Sequence, residues 1–203
     1  IEVQNLCKTY IVNKRQNNVL RNVSFSVAPG EMVAIMGPSG SGKSTLLYTV
    51  SGMDCMTAGD VLFDGKSIAA MNQKELANLR LDRMGFVFQQ MNVLENLNII
   101  DNIVLPAVHA DRKRKKEHCE RAMELMEGFH IADLAERKVS EVSGGQLQRA
   151  CICRSMMPEP EIIFADEPTG ALNQTAATEV IESFLKINRE GTTILMVTHD
   201  SRI

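Results

Sequence analysis

One octapeptide constrains this chain more than any other feature: Gly37-Pro38-Ser39-Gly40-Ser41-Gly42-Lys43-Ser44. It lies between an apolar run at residues 32–36 and a helical pattern at 43–50. A G-x-x-x-x-G-K-[ST] loop in that setting carries the chain from a strand straight into a helix. Its small residues let successive backbone N–H groups point inward at phosphate oxygens, and the positive end of the helix adds to the field. Lys43 supplies a point charge for terminal phosphates, and the Ser44 hydroxyl can ligate Mg²⁺. The plainer alternative is a flexible Gly/Ser turn.

The rest of the chain alternates strands and helices. Strands are expected at 19–27, 32–36, 61–63 and 86–88, with turns at Pro29-Gly30 and Asp64-Gly65. In 117–127, Cys119, Ala122, Met123 and Met126 fall on one helical face. Another helix is expected at 147–157, stopped by Pro158 and Pro160. The run 161–165 suits a parallel strand buried on both faces. A helix with Val180, Ile181, Phe184 and Leu185 on one side follows, ended by Gly191, and then a strand at 193–197. This alternation predicts an α/β sheet with a helical lobe inserted between residues 90 and 160.

Composition narrows the class. With 203 residues, 44% hydrophobic and 23% charged, the chain is one large domain or two small lobes, neither disordered nor collagen-like. A net charge of −3 argues against gripping nucleic acid as the main task. The longest purely apolar stretch, 32–36, is far short of the ~20 residues of a membrane helix. The first residues show no signal-peptide pattern. Five scattered cysteines argue against a disulfide framework, and Cys151 and Cys153 lack the spacing of a metal clip, so a reducing cytosol is expected. The chain opens without Met and stops soon after His199, as a trimmed piece would.

Two further motifs carry chemistry. In Ile162-Ile163-Phe164-Ala165-Asp166-Glu167, a carboxylate ending a buried strand needs a positive neighbour. Asp166 therefore reads as the Mg²⁺ holder, through water, and Glu167 as the base that polarises the attacking water. Taken alone, Asp-Glu at a strand end is also a common solvated loop. Val142-Ser143-Gly144-Gly145-Gln146 opens the helix at 147–157 and reads either as a second phosphate-binding helix start or as an ordinary Ser cap with a Gly pair.

The ordered set of the 37–45 loop, Gln89, Ser143-Gly144-Gly145-Gln146, Asp166-Glu167 and His199 resembles the ATP-binding subunit of ABC transporters over essentially the whole chain. The resemblance implies a P-loop NTPase core with a mostly parallel sheet, an antiparallel β subdomain and an inserted α-helical subdomain. Residues 1–89 and 159–203 would form the core with its β subdomain, and 90–158 the helical part, within a single domain over 1–203. It implies a homodimer closing head to tail around two Mg-ATP, each held between one copy's loop (Gly37, Ser39, Gly40, Ser41, Gly42, Lys43, Ser44, Thr45) and the other's Ser143–Gln146 segment. Tyr10 would stack on adenine, although a half-buried strand aromatic reads the same. Gln89 would touch Mg²⁺ and the attacking water. His199 would grip the γ-phosphate and orient Glu167, where a lone His after a strand could also be a plain surface residue.

The partner so implied is an integral membrane permease, gripped through a groove between the lobes at the cytoplasmic face of the plasma membrane, with no insertion of this chain into the bilayer. Asp166-Glu167-Pro168-Thr169-Gly170-Ala171-Leu172 and Met84-Gly85-Phe86-Val87-Phe88-Gln89 are similar to the branch serving lipoprotein release, macrolide efflux and antimicrobial-peptide resistance. Asn173 stands where that family usually has Asp, which puts coupling between the two ATP sites in question and leaves ATP binding intact. Rival readings are a DNA-maintenance ATPase head, a ribosome-associated member, which would carry two cassettes, and a division-type ATPase using ATP as a switch. The DNA-maintenance heads carry a coiled coil or zinc module where this chain has only residues 90–142. The basic run Arg112-Lys113-Arg114-Lys115-Lys116 reads as a contact for anionic headgroups or as a solvated helix start.

Overall fold

The computed structural model describes residues 1–199; Asp200 and residues 201–203 lie outside the described residues. Two four-stranded sheets organise the chain. β1 (Glu2–Val12), β2 (Arg15–Ser26), β4 (Ala58–Phe63) and β5 (Lys66–Ser67) form an antiparallel sheet of order β2-β1-β4-β5. β3 (Met32–Met36), β6 (Met84–Val87), β7 (Ile162–Asp166) and β8 (Thr193–Thr198) form a parallel sheet of order β3-β8-β7-β6. Six α-helices connect them among the described residues: α1 (Lys43–Val50), α2 (Gln73–Arg83), α3 (Ile99–Ala110), α4 (Lys115–Gly128), α5 (Gly144–Met156) and α6 (Gln174–Arg189). The α/β class and the parallel sheet follow the sequence expectation.

Strand periodicity of two splits the core in two. On β7 and β8, Ile163, Ala165, Ile194 and Met196 face the core shared with α3, α4, α5 and α6. Their neighbours Ile162, Phe164, Leu195 and Val197 face the core shared with α1 and the antiparallel sheet. β7 lies between β6 and β8 and is buried at all five positions, which is why its sequence is continuously apolar. Fully burying a side chain such as Phe164 contributes roughly 1.5–3 kcal/mol. Among the described residues β3 pairs only with β8, and it leaves Met36 49% exposed beside the loop it feeds.

Four differences from the sequence expectation have physical reasons. β1 was not among the expected strands, because its polar residues and register shifts against β2 break the alternation. α2 buries none of its residues fully, so it shows no apolar stripe; its sequence signal is the capping box of Asn72 and Glu75. Leu185 is 39% exposed, because the buried stripe of α6 runs Ala177, Val180, Phe184 and Ile187. α5 also begins at Gly144, three residues before the expected helix, because Ser143 caps it.

Two glycines bring elements close. A Cβ on Gly85 would lie 2.6 Å from the Ser155 carbonyl oxygen, so its absence lets α5 press onto β6. A Cβ on Gly145 would lie 2.7 Å from the Ala176 Cβ, so α5 and α6 touch there without a side chain between them.

Candidate active site

The loop at 37–44 leaves β3 and enters α1 through Gly42, whose φ of 91° is the left-handed conformation that favours glycine. Gly42 caps α1 without a side chain, so the first-turn N–H groups are left for an outside acceptor. Lys43 is buried and folds back along the loop, donating to the carbonyls of Gly37 at 2.9 Å and Pro38 at 3.0 Å. Its Nζ also lies 3.7 Å from Glu167 Oε1. Ser39, Gly40 and Ser41 are exposed at the loop's tip, open to solvent.

The ends of β7 and β8 bring the opposite charge. Asp166 is 5% exposed, and both its carboxylate oxygens are engaged: Ser44 donates to Oδ1 at 2.8 Å and Tyr48 to Oδ2 at 2.6 Å. Burial first, then the bond to Asp166, raises the Tyr48 hydroxyl well above its ordinary pKa. Glu167 adopts φ 44°, a conformation costing an L-residue roughly 1–2 kcal/mol. Its N–H is anchored to the Val197 carbonyl at 2.9 Å. Its carboxylate sits between Lys43 and His199, whose Nδ1 is 3.0 Å from Oε2. A Cβ on Gly170 would meet Gln89 Nε2 at 3.3 Å and Glu167 Oε2 at 3.4 Å, so Gln89 and Glu167 border the same small residue.

Lys43, Ser44, Asp166, Glu167, His199 and Gln89, spread over more than 150 residues of sequence, thus converge on one site. Tyr10 joins its rim: the hydroxyl donates to Asp54 Oδ2 at 2.6 Å, with Thr45 beside it, and the Lys8 ammonium stands 4.6 Å from the ring centroid. Burial and then the Asp54 bond raise the Tyr10 pKa. Asp54 is pulled up by burial, but the Lys8 and Tyr10 bonds outweigh this and hold its carboxyl below the usual range.

Ser143-Gly144-Gly145-Gln146 lies elsewhere. Ser143 Oγ accepts the Gln146 N–H at 3.3 Å, and Gln146 Oε1 accepts the Ser143 N–H at 2.8 Å, a complete capping box. Ser143 and Gly144 are exposed, and among the described residues no hydrogen bond joins this segment to the 37–45 loop. Further along α5, Cys151 and Cys153 point into the core; burial raises the Cys151 thiol and pushes Cys153 up to about 12. Tyr48 is the site residue that the sequence reading missed. Its signal was its spacing, one helical turn after Ser44 on α1.

Oxygen donors gathered beside an anion-binding loop, with a carboxylate held between a lysine and a histidine, can polarise water next to a phosphate. The family model described as ABC transporter matches residues 20–170. YknY of Bacillus subtilis, an uncharacterized ABC transporter ATP-binding protein, is 41% identical over 203 residues, covering all of this chain and 88% of YknY. The macrolide export ATP-binding/permease protein MacB of Campylobacter jejuni is 41% identical over all of this chain, which spans only 31% of MacB's length. The dimeric structure of MJ0796, a bacterial ABC transporter cassette, superimposes with TM-score 0.88 at 36% identity, covering 99% of this chain and 88% of that one. The dimeric post-hydrolysis state of the same cassette, bound to ADP and Pi, superimposes with TM-score 0.86 at 34% identity, with the same coverage. Geometry, sequence and fold therefore agree that this chain belongs to the ABC transporter family, as an ATP-binding cassette that hydrolyses ATP.

Proposed function

We propose that the chain hydrolyses ATP between two copies arranged head to tail and thereby drives a membrane permease. The observation that carries this reading is the division of the binding chemistry. The loop, Asp166 and Glu167 converge on one face, while the exposed Ser143 helix start has no bond to that loop among the described residues. A second copy supplies the missing half when its Ser143, Gly144, Gly145 and Gln146 close over the terminal phosphate.

Within each half, the 37–45 loop N–H groups hold the phosphates and Lys43 balances their charge. Ser44 and Asp166 offer hydroxyl and carboxylate oxygens, the donor class that suits Mg²⁺, with Gln89 close by. When bound there, Mg²⁺ neutralises phosphate charge during transfer. Glu167 accepts a proton from the attacking water, and His199 fixes the carboxylate's orientation through its 3.0 Å contact. Tyr10 stacks on the adenine ring from the rim.

The permease grips an apolar groove of about 780 Å³ whose lining includes Leu81, Phe86, Phe88, Leu105 and Pro106, at the cytoplasmic face of the plasma membrane. No helix among the described residues is long and apolar enough to cross a membrane. The cargo class is antimicrobial peptides, macrolides or lipoproteins, supported by likeness to MacB, a macrolide export protein.

The test uses light scattering after size exclusion. With ATP and Mg²⁺, Glu167→Gln elutes as a dimer; adding Ser143→Arg returns it to monomer while each monomer still binds ATP. A dimer that survives Ser143→Arg excludes the Ser143 surface as the clasp. Strict monomers of Glu167→Gln, while the parent chain turns ATP over, exclude the dimer itself.

A further inference from the structure

The phosphate site contains a hydroxyl that the proposed chemistry leaves without a task. Tyr48 and Ser44 are one turn apart on α1, so both side chains leave the same helix face toward the end of β7. There they divide one carboxylate, Ser44 taking Oδ1 and Tyr48 taking Oδ2. The part-buried Tyr48 ring is backed on one side in turn: Phe88 lies 6.3 Å away at 50°, Phe88 stacks on Phe86 at 6.0 Å, and Phe86 on Phe164 at 5.5 Å. Phe164 belongs to β7, the strand that ends in Asp166, so the aromatic row and the carboxylate share one rigid support. A ring backed on one side keeps its hydroxyl aimed at the Asp166 oxygen it meets at 2.6 Å.

We propose that Tyr48 is a positioning residue for Asp166: by holding Oδ2 it keeps Oδ1, the oxygen shared with Ser44, turned toward the Mg²⁺-nucleotide. Tyr48 acts through Asp166 and not on the phosphates. The inference rests on the assignment of Asp166 as a Mg²⁺ holder and adds a residue to it. Asp166 has one rotatable bond before the carboxylate's own rotation. With Oδ2 released, the group is free to turn, and the donor set for the cation loses its fixed geometry.

Tyr48→Phe removes the hydroxyl and keeps the ring against Phe88. Titration calorimetry with a non-hydrolysable ATP analogue, once in EDTA and once in Mg²⁺, gives the factor by which Mg²⁺ tightens nucleotide binding. In Tyr48→Phe this factor falls about tenfold, the scale of a lost bond to a charged group. Affinity in EDTA stays at the parent value, and the thermal midpoint falls by a few degrees, because the buried Asp166 carboxylate loses a donor. In an Asp166→Asn background, the same substitution changes the factor no further. An unchanged factor, an equal loss in EDTA, or an effect that persists without the Asp166 carboxylate overturns the role of Tyr48. If Asp166→Asn lowers the factor and Tyr48→Phe does not, the Tyr48 inference alone falls. If Asp166→Asn leaves it unchanged, the Mg²⁺ assignment falls and the inference with it.

Discussion

The 37–45 loop and the Ser143 helix start use the same local chemistry, small residues opening onto a helix N-terminus, yet they are finished in different ways. The loop enters α1 through Gly42 with no side-chain cap, and remote residues complete it: Asp166 at Ser44, Glu167 at Lys43, His199 at Glu167. The Ser143 start completes itself through Gln146 and is held from behind by the Gly145–Ala176 contact. A site built by distant contacts is fixed by the whole sheet. A site built by a capping box is fixed locally and can face outward. The first suits holding a substrate within one chain, the second presenting a surface to another.

Substitutions at five positions break or sharpen this contrast. Glu167→Gln lowers kcat by about 10²–10⁴-fold, the range of a lost general base. ATP affinity changes little, measured by steady-state phosphate release beside calorimetry, and rapid turnover by the variant removes Glu167 from the base role. Lys43→Ala weakens ATP binding by about 10–100-fold, as expected for lost bonds to charged oxygens. Calorimetry on the monomer reads this, and unchanged binding would undo the loop assignment.

At the second site the effects are on the fold. Gly145→Ala drives a methyl into Ala176 and costs about 1–3 kcal/mol. For a chain of this size that lowers the midpoint by roughly 2–4 °C per kcal/mol. Gly144→Ala is the control: its methyl would meet only the Leu172 Cδ2, at an ordinary 3.4 Å, and its midpoint stays at the parent value. Equal melting of the two variants would refute the close approach of α5 and α6. The smallest effect is at Asn173, whose side chain accepts the Ala176 N–H at 2.9 Å as the cap of α6. Asn173→Ala costs about 1 kcal/mol and Asn173→Asp changes little, since either side chain caps. Thermal melts separate the two.

Lys43 and Glu167 are legible as single candidates, because the glycine loop and a strand-end carboxylate have local signatures, whereas His199 is expected only through the family resemblance. Their mutual contacts are not legible, since the 3.7 Å and 3.0 Å approaches join residues far apart in the chain. For Tyr10 the family resemblance implies stacking on adenine and the sequence alone allows a half-buried strand aromatic; its bond to Asp54 comes only with the packing of β1 against the turn after α1. β1 and α2 were missed because neither shows a clean alternation or stripe, and the strand pairing and capping box that stabilise them are not apolar patterns.

The sequence by itself determined the phosphate loop, the buried strands, the Ser143 helix start and hence the α/β class. Each follows from short-range periodicity, turn chemistry or N-cap spacing, which act within a few residues. Only the tertiary structure decided which carboxylate oxygen meets which hydroxyl, that Tyr48 shares Asp166 with Ser44, and that the Ser143 surface stands apart from the loop. Those outcomes depend on strand order β3-β8-β7-β6 and on which face of β7 meets which core. Such choices are made by packing many distant side chains at once, and no local window of the chain contains them.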